Sequence, residues 1–476
     1  MDIASIKDRE MGLHRGLGKT QIVMIGLGGA IGTGLFMGSG LAIGYAGPAV
    51  ILSYIIAGFV ALVMVFSLSE MAVMHPTAGS FGTYAETYLN PWAGFVVRYT
   101  YWIAQVIAIG GESVAAGLYM RFWFPQVPAW TWSLAFCGLL VYLNSRAVNN
   151  FGTVESWFAL GKVLAIVLFI ILGMLAIFGV GRPAVGLHNL TDLPGGFMPM
   201  GIAGVWKGVI IGIFSFNGIE LIAVTSGEAK NPRTSIPAAL RTMAFRLLMF
   251  YVLAMTVIVA IVPWTATGVR VVAQSPFVGV FQHSGIAHAA GIMNLVVISA
   301  ALSSMNTNTY LCSRMLFSLS RGDYAPRRLG ILGRKGTPIA AILTSGVCFL
   351  VVAAVSVFTP NAYGYLLGVS LFGAILVWMF ILVSHLSFRR QHRAADLPVR
   401  MPFFPWMQYI GLGMLAAILV TMGLDSHLYV SWVCGIPWLI LISAAYLLWR
   451  TRRLRTLASS DSMPLESPRV QSGQDP

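Results

Sequence analysis

The sequence predicts an all-α integral membrane protein with twelve transmembrane helices. Three observations carry that prediction: the composition, the long uncharged runs and the placement of basic residues. Of 476 residues, 57% are hydrophobic and 10% charged, with a mean hydropathy of +0.79. A water-soluble domain carries about 25% charged residues, so this chain could not cover its surface in water and requires lipid as solvent. Residues 20–69, 271–313 and 336–388 contain no Asp, Glu, Lys or Arg. A spanning helix needs roughly 20 apolar residues. The first and last runs therefore each hold two spans, divided at Ala46-Gly47-Pro48 and at Thr359-Pro360-Asn361.

Apolar runs read between such breaks place helices at about 20–46, 48–72, 92–120, 129–146, 155–179, 202–225, 242–263, 290–318, 338–358, 363–388, 405–424 and 430–450. Trp92, Trp123, Trp130, Trp132, Trp264, Trp406 and Trp449 fall near their ends, where interfacial aromatics concentrate. With the amino terminus in the cytoplasm, only Arg121, Arg182, Lys207 and Arg270 of the 30 Lys and Arg residues face outward. The positive-inside rule thus puts both termini in the cytoplasm, and the even helix count agrees. Residues 1–19 read as a cytoplasmic amino-terminal segment and 451–476 as a disordered cytoplasmic tail. The first 15 residues are polar and mixed in charge, so no cleavable signal peptide is expected.

Several function classes are disfavoured at this point. The net charge of +14 resides in short loops between apolar spans, which argues against a nucleic-acid partner. Cys137, Cys312, Cys348 and Cys434 all fall in apolar segments without metal-ligand spacing, so they read as small apolar residues. No cofactor or metal is expected. Gly18-Lys19-Thr20 lacks the first glycine of a phosphate loop, where Leu13 stands, and Gly26 and Gly28 lack the third glycine of a dinucleotide fingerprint, where Ile31 stands.

The chemistry concentrates at two interruptions. Gly26-Leu27-Gly28-Gly29-Ala30-Ile31-Gly32-Thr33-Gly34-Leu35-Phe36 lies inside the first span. Each glycine disfavours helix by roughly 1 kcal/mol in water. In lipid, freed backbone is tolerated only where it is buried or lines a cavity. Phe214-Ser215-Phe216-Asn217-Gly218-Ile219-Glu220 interrupts the sixth span. The first and sixth spans are corresponding members of two five-helix halves, and paired interruptions point to a transporter site. A half-helix starting near Gly34 offers free N–H groups and a positive dipole end to a carboxylate. Half-helices ending near Ala30 and Phe216 offer free carbonyls to an ammonium. Ile31, Gly32, Thr33, Gly34, Phe214, Ser215, Phe216, Asn217 and Gly218 are therefore the candidate binding residues for a zwitterion, with Phe214 and Phe216 against its side chain. Glu112 in the third span, Lys162 in the fifth and Glu220 in the sixth are buried ionisable groups. Such a group costs at least ~2.5 kcal/mol at the bilayer centre and is a functional hypothesis by default. The competing reading of each is a satisfied interhelical hydrogen bond, or for Lys162 a snorkelling side chain.

At these residues the chain resembles the amino acid permeases of the amino acid–polyamine–organocation superfamily, bacterial amino acid transporter branch. The motifs are Gly28 to Phe36, Pro76-Thr77-Ala78-Gly79-Ser80-Phe81, Phe214 to Glu220, Gly227-Glu228-Ala229-Lys230-Asn231-Pro232, Ser313-Arg314-Met315-Leu316 and Phe388-Arg389-Arg390. They span Leu13 to Arg455. The resemblance implies a leucine-transporter-like 5+5 inverted repeat, at about 20–179 and 202–388, plus two carboxy-terminal helices within 405–450. It implies that the first and sixth helices bind the substrate's α-carboxylate and α-amino groups. It also implies that Lys162 stands where sodium-coupled relatives bind Na⁺, which favours a proton as the coupling ion. Glu112 matches the branch's third-helix glutamate. Ser113-Val114 departs from the family's common Leu-Thr there, at a contact for the substrate side chain. The Pro76–Phe81 and Gly227–Pro232 stretches would lie on the cytoplasmic face and move during gating.

The implied function is import of an amino acid across the cytoplasmic (inner) membrane by proton symport with alternating access. An exchanger or amine carrier of the same fold remains the alternative. A channel would show a continuous polar stripe, a sensor an output domain, and an enzyme clustered catalytic residues. The sequence has isolated charges, loops of at most about 25 residues, and His residues scattered mainly at loops and helix ends, His283 and His288 among them. The partners expected are an amino acid and the lipid bilayer. The substrate's identity and the oligomeric state stay open.

Overall fold

The computed structural model describes residues 17–146, 151–180, 183–267, 275–283, 288–333, 336–359, 361–393, 397, 399–426 and 428–461. Most of the amino-terminal segment expected at 1–19 lies outside the described residues, as do Arg182, Arg270, Pro360 and residues 462–476 of the tail. The described chain is helical, and helix covers each of the twelve expected ranges. The first is broken: α1 (Lys19–Ala30) is followed by a π turn (Gly34–Gly38) and α2 (Ser39–Ala46). Next come α3 (Val50–Met74), the short α4 (Ser80–Tyr88), α5 (Pro91–Met120), α6 (Ala129–Arg146) and α7 (Phe151–Phe178). The sixth range is broken into α8 (Gly201–Phe216) and α9 (Leu221–Val224). α10 (Pro232–Ile261), α11 (Trp264–Thr267), α12 (Pro276–His283), α13 (Ala289–Arg321), α14 (Ile339–Ala354), α15 (Ala362–Gln391), α16 (Trp406–Leu424) and α17 (Val430–Asp461) complete the order.

Local chemistry sets several ends. Asn90 caps α5, its side chain accepting from Ala93 N at 2.9 Å, and Pro91 occupies the first helical position. α17 runs past the expected end at 450 because residues 451–461 contain no Gly or Pro to stop it. Among the described residues, nine helical stretches are long and apolar enough to cross a membrane. The count is below twelve for identifiable reasons. Lys19–Met74 is one run of 56 residues holding α1 to α3, and Phe245–Ile261 of α10 is apolar but shorter than the nine. α6 ends in Asn144, Ser145 and Arg146.

Burial is graded across the molecule. α8 is enclosed beyond its first turn, packed by α2, α3 and the π turn, and α9 is buried against α1, α4 and α10. α5 runs against both α13 and α15, and α1 lies between α7, α10 and α13. On the outside, α7, α14, α16 and α17 expose large apolar side chains such as Trp157, Leu168, Val351, Leu424 and Ile440. Lipid, being as apolar as these side chains, is their solvent, so helix association rests on close packing and interhelical hydrogen bonds.

Candidate functional site

α1 and α8 both stop in mid-span, side by side. Ile31 leaves the helix at φ −87°, ψ 86°, and Asn217 at φ −61°, ψ 139°. The chain resumes at Gly34 and Leu221. Gly218 adopts φ 101°, a region L side chains avoid. A Cβ there would stand 2.8 Å from Gly29 O, so the second break presses its backbone onto the first.

A helix end leaves carbonyls without partners, and lipid offers none. Side chains supply them here. Lys162 Nζ donates to Gly28 O at 2.6 Å. Tyr251 Oη lies 2.8 Å from Ala30 O and 2.9 Å from Ser215 O, one hydroxyl shared between the two breaks. Ser215 Oγ donates to Gly34 O at 2.8 Å and lies 2.9 Å from Tyr54 Oη. Tyr363 Oη donates to Thr33 O at 3.3 Å.

Between the breaks lies a cavity of about 20 Å³. The first break contributes Gly29, Ala30, Gly32 and Gly34, the second Phe214 and Asn217, α5 contributes Ala108 and Glu112, and α13 contributes Ser304 and Asn308. That volume holds about one water, so an amino acid enters only when the helices separate. Glu112 hangs over Gly32. Its carboxylate accepts from Ser304 Oγ at 2.6 Å and from Asn308 Nδ2 at 3.4 Å. A Cβ on Gly32 would lie 2.7 Å from both Glu112 Oε1 and Ser304 Oγ, and one on Gly34 would lie 2.9 Å from Ser215 Cα. Asn217 Oδ1 is buried without a hydrogen-bond partner, which leaves an acceptor at the cavity wall.

Of the residues named from sequence, Gly32, Gly34, Phe214, Asn217 and Glu112 line this cavity. Ile31, Thr33, Ser215 and Gly218 are buried in its frame. Phe216, expected beside Phe214, packs instead behind the break, with ring centroids 4.8 Å from Tyr251 and 6.5 Å from Tyr54. Two residues apart on a helix means about 200° of rotation, so the two rings cannot share a face. Lys162 stands behind α1. Glu220 stands behind the second break, accepting from Tyr101 Oη at 3.0 Å and from Gly218 N at 3.1 Å. It holds that turn and does not face the cavity.

Sequence reading missed Tyr54, Tyr251, Tyr363, Ser304, Asn308 and Glu155. A signal existed for two of them: Ser303-Ser304-Met305-Asn306-Thr307-Asn308-Thr309 is a polar run inside an uncharged span. The tyrosines carry no such mark. Among the described residues, no group of three or more His, Cys, Asp or Glu is placed to hold a metal ion.

Residues 21–459 match the amino acid permease family. The chain belongs to that family. This permease is 40% identical over 91% of its length to an uncharacterised amino acid permease, YtnA, of Bacillus subtilis, covering 94% of that protein. It is 36% identical to the gamma-aminobutyric acid permease of the same organism, over 97% of this chain and 99% of the relative. To the aromatic amino acid transport protein AroP of Escherichia coli K12 it is 39% identical, over 91% and 95%. Family membership and the apolar helices together make this permease a multi-pass membrane protein of amino acid transport.

Proposed function

We propose that this permease imports a zwitterionic amino acid across the cytoplasmic membrane by proton symport, through alternating access. In this reading all twelve helical ranges cross the bilayer, α1–α7 and α8–α15 form leucine-transporter-like inverted repeats, and both termini are cytoplasmic. The observation that carries it is the pair of backbone ends facing one cavity. The N–H groups entering the π turn at Gly34 suit a carboxylate. The carbonyls around Ala30 and Phe216, with Asn217 Oδ1, suit an ammonium.

Coupling by protons is supported by Lys162, whose ammonium occupies Gly28 O. A fixed cation there leaves no place for a sodium ion on that carbonyl. Glu112 is the proton acceptor in this reading, because it is the cavity's carboxylate and touches the wall at Gly32. The relatives named for aromatic amino acids and gamma-aminobutyric acid point to substrates whose side chains carry no further charge. The ring of Phe214 suits an aromatic or other neutral side chain.

Uptake into proteoliposomes tests the proposal, using labelled phenylalanine and other amino acids with an imposed inward proton gradient, with and without sodium. Accumulation that follows the proton gradient and ignores sodium is expected. Uptake only into vesicles preloaded with amino acid would replace symport by exchange.

A further inference from the structure

The coupling centre contains a second carboxylate with no role so far. Glu155 and Lys162 are seven residues apart on α7, hence on one face and two turns, about 10 Å, apart along the axis. Glu155 is fully buried, and Lys162 and Glu112 are nearly so. The lysine feels both carboxylates. Helix α13 clamps each one with its own pair of side chains. Ser304 and Asn308 hold Glu112. One residue earlier and two residues earlier in the same run, Ser303 Oγ donates to Glu155 Oε1 and Asn306 Nδ2 donates to Oε2 at 3.3 Å. Asn306 is itself fixed by Asn144 Nδ2 of α6, at 2.8 Å to its Oδ1. Glu155 also abuts the carbonyl-bearing residue that Lys162 grips, since a Cβ on Gly28 would collide with Glu155 Oε1. Ammonium and carboxylate therefore meet α1 at the same residue.

We propose that Glu155 is a positioning residue for coupling: it is the fixed counter-charge that keeps the Lys162 ammonium in place on Gly28 when Glu112 takes up its proton. This rests on the proton-coupled reading above. With both carboxylates ionised, the trio carries one net negative charge. A proton from the outer aqueous phase settles on a Glu112 oxygen, brings the trio to neutrality and later leaves to the cytoplasm. Lys162 and Glu155 keep their charges throughout. Without Glu155 the same step would leave an ammonium with no partner anion in a buried site, which is strongly unfavourable. Among the described residues, two phenols also stand beside the trio, Tyr363 of α15, which interacts with Glu112, and Tyr251 of α10 on the neighbouring Ala30 carbonyl, and Tyr310 and Arg314 of α13 line a cavity together with Ser303 and Asn306. Glu155 does not line the substrate cavity, so its loss leaves the binding surface intact.

The test uses the full-length permease in proteoliposomes, wild type beside Glu155→Gln and Glu155→Asp, with phenylalanine or γ-aminobutyrate as substrate, whichever the wild type accumulates. Uptake is measured against external pH, proton entry with a trapped pH dye, and substrate exchange at equal pH as a check of folding. Glu155→Gln is expected to keep exchange and to move half-maximal uptake about one pH unit lower, a tenfold higher proton requirement, with Glu155→Asp close to wild type. An unchanged pH profile in Glu155→Gln would overturn the proposal and leave the carboxylate as structural cement between α7 and α13. If Glu155→Gln loses exchange, Ser303→Ala decides: a smaller shift in the same direction supports the proposal, and none overturns it. A wild type whose uptake ignores protons would remove the symport reading itself, and this inference with it.

Discussion

At the scale of single residues, the site is held open by what glycine lacks. Gly32 faces Glu112 Oε1 and Ser304 Oγ at distances no real Cβ tolerates. Gly32→Val therefore displaces the carboxylate and fills a cavity with room for about one water. Substrate affinity, measured by scintillation proximity on purified protein, is expected to fall more than about a hundredfold, roughly 2.7 kcal/mol. Unaltered affinity would refute backbone binding at the first break. Lys162→Ala removes the donor to Gly28 O, and uptake is expected to lose its dependence on the proton gradient while exchange persists. Undiminished proton dependence would remove the lysine from coupling. The glycines and three of the buried charges, Glu112, Lys162 and Glu220, were legible in the sequence because both are out of place in a lipid-spanning helix, whereas Glu155, close to the start of its span, was not. Their partners were not. Tyr251 is 221 residues from Ala30 and Ser304 is 192 from Glu112, and no local pattern encodes such meetings.

At the scale of elements, two loops singled out by sequence turn out to touch. A Cβ on Gly227 would lie 2.8 Å from Ala78 N, so the Pro76–Phe81 stretch and the Gly227–Pro232 loop pack backbone to backbone. Leu17 joins them: Leu17 N donates to Glu228 O at 3.1 Å and Lys230 N to Leu17 O at 3.0 Å. Glu228 then reaches α13, pairing with Arg314 Nε at 2.8 Å and accepting from Tyr310 Oη at 2.7 Å. The Arg314 guanidinium also lies 4.0 Å over the Tyr310 ring. This plate ties the start of α1 and the end of the broken sixth span to α13, and under the alternating-access proposal it is what holds the closed form on that side. Removing one partner of a buried ion pair costs about 3–5 kcal/mol, and here the cost falls on the closed form. Glu228→Gln is thus expected to favour opening on this side. Exchange between vesicle lumen and medium should speed up while uphill accumulation falls by about tenfold or more, a bias of at least ~1.4 kcal/mol. Parallel loss of both activities would mark the pair as needed for folding alone.

At the scale of the whole molecule, the helical ranges were legible because lipid imposes length and apolarity on each. The division of labour among them was not. Apolar runs look alike whether they face lipid, as in α14 and α17, or enclose the site, as in α8. The difference lies in small and polar residues whose partners are distant in sequence. The short α4 illustrates this, since it was not expected at all. It is locked to α5 by Arg98, fully buried, which donates to Glu86 Oε2 at 2.8 Å and to Thr83 Oγ1 at 3.1 Å. Tyr324, beyond α13, donates to the other Glu86 oxygen at 3.1 Å, and Tyr99 Oη donates to Tyr324 O at 3.0 Å. One ion pair therefore joins three parts of the chain far from the cavity. Arg98→Ala leaves Glu86 as a lone buried charge and is expected to destabilise the protein by about 3–5 kcal/mol, seen as a lower unfolding temperature in detergent. Replacing both charges, Arg98→Met with Glu86→Gln, removes the unpaired ion and should recover much of that loss. Recovery would assign the pair to assembly of the bundle. A double variant as unstable as the single would instead mean that the hydrogen bonds to Thr83 and Tyr324 carry the stability and the charges only accompany them.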